Sequence, residues 1–177
     1  MSEQIITLAF EKTQKSSKDI TVISDESVKS SGSATAIAHI WKDNKVIVRL
    51  KVHTSNVTPL EAELMAIRIG LTSAFESSEA HQILIITDAL EAGKKIISSG
   101  DQHLQKSIIP IVEKIQSFLG KNSCNSIHFW HCSNKLEWPR HTLVDEEAKS
   151  SHIPPTLLEK NSFLLSKKKE CDLILET

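Results

Sequence analysis

Glycine and proline are scarce, five of each among 177 residues, and no glycine-rich loop of the kind that cradles phosphate can be found. The three cysteines, Cys124, Cys132 and Cys171, are an odd number without metal-type spacing. They exclude a disulfide framework and read as reduced thiols of an intracellular protein, cytoplasmic or nuclear. Cys132 beside His131 is not expected to hold zinc, because no second pair of ligands follows. Long apolar runs are missing too: Ile83-Leu84-Ile85-Ile86 falls far short of the roughly 20 residues that cross a bilayer, so no membrane partner is expected. The start, Met1-Ser2-Glu3-Gln4, lacks a basic stretch leading into an apolar one, and a secretory leader is not expected. No Ser-His-Asp or Cys-His spacing supports nucleophilic catalysis, and no feature calls for an organic cofactor. The net charge of −1 excludes a nucleic-acid binder held by bulk electrostatics. It leaves room for an enzyme that meets a polyanion through a local basic face and metal ions.

What is present is an ordinary globular composition, 40% hydrophobic and 24% charged, in a chain long enough for one core and short for two. Residues 1–18 read as a tail or linker, 19–152 as the folded domain and 153–177 as a C-terminal extension. In that extension Lys167-Lys168-Lys169 reads as a solvated turn. The β-branched run Ile20 to Ser24 predicts a buried strand. Ser30 to Ser33 predicts a turn, Ala34 to Trp41 a second strand, and Lys42 to Lys45 a hairpin. Val46, Val48, Leu50 and Val52 then alternate with Arg49, Lys51 and His53, which predicts a strand with one face on the core. The period changes at Thr58-Pro59, an N-cap with proline at the first helical position. Leu60, Leu64, Ile67, Leu71 and Phe75 form the apolar stripe of the helix that follows. Ile83 to Thr87 predicts a strand covered on both faces, Ala89 to Ile97 a helix, and Ser107 to Leu119 another, with Pro110 in its first turn and Ile108, Val112, Ile115 and Leu119 as its stripe. Ser126 to Trp130 predicts a last strand and Leu143 to Lys149 a last helix. The expected fold is therefore α/β, with three antiparallel strands, then two parallel ones reached by crossovers, and helices on both faces of a five-stranded sheet.

Acids sit at the junctions of this plan. Asp25 follows Ile23-Ser24, Asp88 follows Ile86-Thr87, Glu63 lies one turn into the first helix, and Asp145 lies near the start of the last. A single acid after a strand is a turn former or a cap. Several gathered at strand ends repel one another unless a cation lies between them, and oxygen ligands of this kind select magnesium or manganese. Glu61 falls outside this register and reads as a solvated flank residue. Glu146 and Glu147 read as first-turn acids of the last helix. Trp130 and Trp138 read as packing residues, with stacking on sugar or base as the alternative.

Four segments carry a family resemblance. Val22-Ile23-Ser24-Asp25-Glu26-Ser27, Ala62-Glu63-Leu64-Met65-Ala66-Ile67, Thr87-Asp88-Ala89-Leu90-Glu91-Ala92, and Trp130 followed by Val144-Asp145-Glu146-Glu147-Ala148-Lys149 resemble, in order, the motifs of the ribonuclease H domain of LINE-type (non-LTR) retrotransposon reverse transcriptases. The resemblance covers about residues 19 to 151 and implies an RNase H-like fold. It also implies hydrolysis of the RNA strand of an RNA/DNA hybrid with two Mg²⁺ or Mn²⁺ ions, held by Asp25, Glu63, Asp88 and Asp145, with Asp25 bridging them. In such a site one ion activates the attacking water and the other stabilises the departing oxygen. The polymerase part of a larger polyprotein is then an expected partner. Two departures stand out. Glu26 replaces the family's glycine, and the Pro-Gly-His loop ten residues before the last aspartate has no counterpart, since Lys135 stands there. His131 and His141 are the nearby substitutes, and His141, one helical turn before Asp145, is the candidate to join the four acids in catalysis, with a plain surface or capping histidine as the other reading. The other reading is a domain of this fold with weakened catalysis that serves as a nucleic-acid- or protein-binding scaffold.

Overall fold

The computed structural model describes residues 19–76, 80–98, 105–133 and 138–152. Three strands, β1 (Asp19–Val28), β2 (Ser33–Lys42) and β3 (Lys45–Ser55), lead into helix α1 (Pro59–Glu76). Strand β4 (Gln82–Thr87), helices α2 (Leu90–Ser98) and α3 (Gln105–Lys121), strand β5 (Ser126–His131) and helix α4 (Pro139–Ser150) follow. The strands form one sheet in the order β3-β2-β1-β4-β5. The pairs β3/β2 and β2/β1 are antiparallel, and β1/β4 and β4/β5 are parallel, as the change of period in the sequence predicts. The expectations for residues 1–18, 153–177 and Lys135 fall outside the described residues. Among the described residues no helix is long and apolar enough to cross a membrane.

Local chemistry accounts for the turns. Asp43 and Asn44 both take positive φ, 49° and 62°, the conformation that a tight two-residue hairpin between twisted strands requires. Thr58 and Glu61 form a reciprocal cap: the Thr58 backbone N–H and hydroxyl donate to Glu61 Oε2, each at 2.8 Å, and the Glu61 N–H donates to Thr58 Oγ1 at 3.2 Å. Glu61 is thus the capping glutamate of α1 rather than a bystander on its flank.

Strand alternation builds two cores. Ile20, Val22, Ala38, Ile40, Leu50, Ile83 and Ile85 face α1 and α3, where Leu64, Ile67, Leu71 and Ile108 meet them. Ile23, Ile37, Leu84 and Ile86 face the other way and meet Trp138, Val144 and Ala148 of α4 and the segment before it. Gly70 lets α1 lie close on the sheet, because a Cβ there would stand 2.4 Å from Val22 Cγ1 and 3.0 Å from Ala38 Cβ.

Several boundaries differ from the sequence expectation. β1 does not end at Asp25. Its polar residues Ser24 to Val28 stay paired with Ala34 to Ala38, because antiparallel hydrogen bonding continues where the apolar run stops. Val46 does not share a face with Val48: the register shifts at Ile40/Trp41, leaving Ile47 as the extra residue of a bulge and turning Val46 onto the second core. α3 already runs from Gln105, so Pro110 lies inside it rather than in its first turn. Leu119 is 40% exposed, and Phe118 takes the inner position, stacked on Phe75 with ring centroids 4.8 Å apart. α4 begins at Pro139, not Leu143, because Trp138 is buried and extended and Pro139 fixes the first turn.

Gly70→Ala is expected to destabilise the protein by about 1–3 kcal/mol, since neither Val22 nor the strand behind it has room to yield. Denaturant unfolding checks this; an unchanged midpoint would show that α1 can lift off the sheet freely.

Candidate metal centre

The register of the parallel pair creates the site. Ile23 of β1 lies opposite Ile86 of β4. Asp25 and Asp88 each follow two residues later, so the two acids come out level just past the last parallel pair, on the side of the sheet toward which the parallel strands run and where ligands of α/β sheets gather. The residue before each acid, Ser24 and Thr87, points through the sheet toward α1 because strand side chains alternate. There both hydroxyls donate to Glu63 Oε1, Ser24 at 2.9 Å and Thr87 in a shorter bond. Thr87 Oγ1 also accepts from the Ala89 N–H at 3.0 Å, and the His131 ring donates to the Asp88 carbonyl at 2.9 Å. The turn carrying Asp88 is therefore fixed from both sides.

α4 covers the other face and brings His141 and Asp145, one turn apart, to the same place. It is held down by Glu147, whose Oε2 lies 2.8 Å from Nε2 of the fully buried His39 and whose Oε1 lies 3.6 Å from Lys51 Nζ. Glu147 is thus an anchor on the sheet in the latter half of α4, not a first-turn acid.

One ligand-type atom from each of Asp25, Asp88 and His141 lies within 4.8 Å of the others. Glu63 stands behind this triangle with its Oε1 fully used, and Asp145 beside it pairs with Lys149 through Oδ2. Within this cluster three buried atoms have no hydrogen-bond partner: Asp25 Oδ2, Glu63 Oε2 and His141 Nε2. Asp25 Oδ1, by contrast, accepts the Glu26 N–H at 2.7 Å.

The electrostatics follow from this crowding. Burial, then the charges of Asp88 and Glu63, push Asp25 up to about 9. Burial also lifts Glu63 to about 7, against the two hydroxyl bonds that favour its charged form. Glu26 rises to about 7 through burial and the charges of Asp88 and Asp145. Burial lowers His141, which keeps its ring neutral and its lone pair available. Buried oxygens and a buried nitrogen without partners, set among mutually repelling acids, fit a divalent cation as the missing partner. Asp25, Asp88 and His141 could hold such an ion directly, with Glu63 and Asp145 alongside.

The sequence-predicted residues Asp25, Glu63, Asp88, Asp145 and His141 all come to this one end of the sheet. His131 does not enter the cluster; it secures the Asp88 turn. Cys132 is buried in the second core, its thiol pushed up to about 11 by burial, and it joins no metal-type group among the described residues. Trp138 is a core residue, and Trp130 packs against the same core. The positioning hydroxyls of Ser24 and Thr87 escaped sequence reasoning. Strand alternation carried the signal, since a residue next to an inward-facing strand acid must face the opposite helix.

Sheet order, crossovers and helix placement give the chain an RNase H-like fold. No protein-family model and no curated protein matches it, but solved structures do. The N-terminal RNase H domain of a Mycobacterium tuberculosis protein, solved as a fusion with maltose-binding protein, is 14% identical with a TM-score of 0.60, covering 84% of this chain and 99% of that one. LC11-RNase H1 in complex with an RNA/DNA hybrid is 11% identical with a TM-score of 0.57, covering 71% and 92%. The protease-reverse transcriptase of prototype foamy virus is 14% identical with a TM-score of 0.57, covering 77% of this chain and 21% of that one. The likeness is one of fold and extends to both free-standing RNase H and a viral polymerase, without singling out the LINE type.

Without divalent ions, stability is expected to fall as pH rises from about 4 to about 9. The native state holds the Asp25 proton up to about 9, while the unfolded chain releases it near 3.8, so the contribution is complete below the lower value and lost through the higher one. Asp25→Asn, which removes the charge and keeps the shape, should therefore melt several degrees above the parent in EDTA at pH 8 and lose the stabilisation that Mn²⁺ gives the parent by mass action. Thermal unfolding with and without Mn²⁺ measures both; a variant that melts below the parent in EDTA would contradict the repulsion.

Proposed function

We propose that this domain is a metal-dependent endonuclease that hydrolyses the RNA strand of RNA/DNA hybrids, and that it serves as the RNase H domain of a retrotransposon reverse transcriptase. The observation that carries the reading is the pair Asp25 and Asp88, level just past the last parallel pair of β1 and β4, with a buried Asp25 oxygen that no protein group satisfies. Two Mg²⁺ or Mn²⁺ ions, held by Asp25, Glu63, Asp88 and Asp145, would supply an activated water and a counter-charge for the departing 3′ oxygen. The protein's own part is positional. Ser24 and Thr87 hold Glu63 still, the His131 ring holds the Asp88 turn, and Glu147 with His39 holds α4 at the height that places Asp145 and His141. His141, neutral and next to the acids, is the group that can take or give a proton at its Nε2. Choice of the RNA strand would rest on contacts to 2′-hydroxyls. Support for the substrate comes from LC11-RNase H1, solved with such a hybrid, and support for a polymerase partner from the foamy virus chain, of which this fold spans about a fifth.

A second reading has its own observation. Glu26 adds a carboxylate to an already crowded cluster, and Lys149 already pairs with Asp145. In that reading the domain binds a hybrid or a protein without turnover.

Incubation with a labelled RNA/DNA hybrid and Mg²⁺ or Mn²⁺ separates the two. The nuclease reading expects cleavage that falls at least about a hundredfold on Asp88→Asn, since metal-supported charge stabilisation is worth several kcal/mol. Retention of the hybrid in a gel shift, without cleavage under either ion, supports the scaffold instead.

A further inference from the structure

Two members of the triangle are acids, one in a strand and one in a turn; the third is more informative. His141 is 6% exposed, and its Nε2 has no hydrogen-bond partner. A buried ring nitrogen left unsatisfied is costly and rare. Five other histidines each have a partner at one ring nitrogen: His39 bonds Glu147, His53 bonds Thr35, His81 bonds Asn125, His131 bonds the Asp88 carbonyl, and His152 bonds Ser27, although His39 Nδ1 is likewise buried without a partner. His141 differs in its surroundings: one of its ring nitrogens lies within 4.8 Å of an oxygen of each of two carboxylates, and its Nε2 bonds neither. Ligands at about 2.0–2.2 Å from a shared ion stand at most roughly 4.4 Å apart, so the triangle needs only to close by tenths of an ångström. α4 offers the site two ligand groups, and they are not equivalent: Asp145 is paired with Lys149, whereas His141 Nε2 is unpaired.

We propose that His141 Nε2 is a direct ligand, with Asp25 and Asp88, to one divalent ion, and that this nitrogen gives the site a preference for Mn²⁺ over Mg²⁺. The chemistry of the donor set decides the preference. Magnesium demands hard oxygens and gives up its waters reluctantly, while imidazole suits transition-metal ions. The inference rests on reading the cluster as a metal centre, but not on the hybrid as substrate.

The test uses the full chain loaded with Mn²⁺, with pulsed electron paramagnetic resonance to detect ¹⁴N bonded to the ion and calorimetry to measure affinity. The parent is expected to show the nitrogen coupling. His141→Gln is expected to lose it and to bind Mn²⁺ at least about tenfold more weakly, with Mg²⁺ affinity changed by less than about threefold. His128→Gln, at an exposed histidine of β5, is expected to keep the coupling. Absence of nitrogen coupling in the parent overturns the proposal, whether or not the variants fold. So does coupling that survives in His141→Gln or vanishes in His128→Gln, and so does a parent that binds Mg²⁺ as tightly as Mn²⁺. Mn²⁺ held through His141 with no cleavage of hybrid would keep the ligand and remove the nuclease. Cleavage without nitrogen coupling would do the reverse.

Discussion

Mutual repulsion among carboxylates where the parallel pairing of β1 and β4 stops is the constraint around which this domain is arranged. The sheet register forces Asp25 and Asp88 level, α1 brings Glu63 up behind them, and α4 lowers Asp145 beside them. Burial removes the water that would screen these charges, so Asp25 and Glu63 are driven toward their neutral forms. The surrounding contacts oppose the tendency of such a cluster to spread. Hydroxyls from both strands grip Glu63, a backbone N–H grips Asp25, and Lys149 grips Asp145. A domain whose packing compels acids together in this way is least stable alone and most stable with a cation.

The architecture was largely legible in the sequence because its signals are local. Period two in β3, period near 3.6 in α1 and an unbroken apolar run in β4 each reflect which faces are buried. The acids Asp25 and Asp88 were legible for a related reason, since each follows an apolar strand run, whereas Glu63 and Asp145 lie inside helices and were picked out by the motif resemblance. What was not legible depends on partners far along the chain. The bulge at Ile47 is set by pairing with β2 and not by any turn residue nearby. The continuation of β1 through Ser24 to Val28 depends on β2 being there to pair with a polar stretch. Glu147 reads as one more surface acid until the fold sets it against His39, 108 residues earlier.

α4 shows how a short misreading of sequence can hide function. Starting the helix at Leu143 leaves His141 in a loop with an undefined direction. Starting it at Pro139, with Trp138 sunk in the second core, places His141 in the first turn on the same side as Asp145. The helix has a weakly segregated surface because its inner side is mixed: Val144 and Ala148 pack and Glu147 bonds His39 of the sheet, while the buried His141 and the Lys149-paired Asp145 lie near the acids. An apolar stripe, the usual guide to a helix, is the wrong signal where a helix delivers chemistry as well as packing.

The spacing of the acids along the chain has a kinetic meaning. Asp25, Glu63 and Asp145 belong to β1, α1 and α4, Asp88 lies in the turn after β4, and none of the four meets another through local structure. Closing the long loops between them is slow relative to forming any single helix or hairpin. A chain in which β1, α1 and β4 have not yet come together keeps these charges apart, and the docking of α4 adds Asp145 and His141 to the other three acids. The acidic end of the sheet is therefore complete only once the last helix is in place.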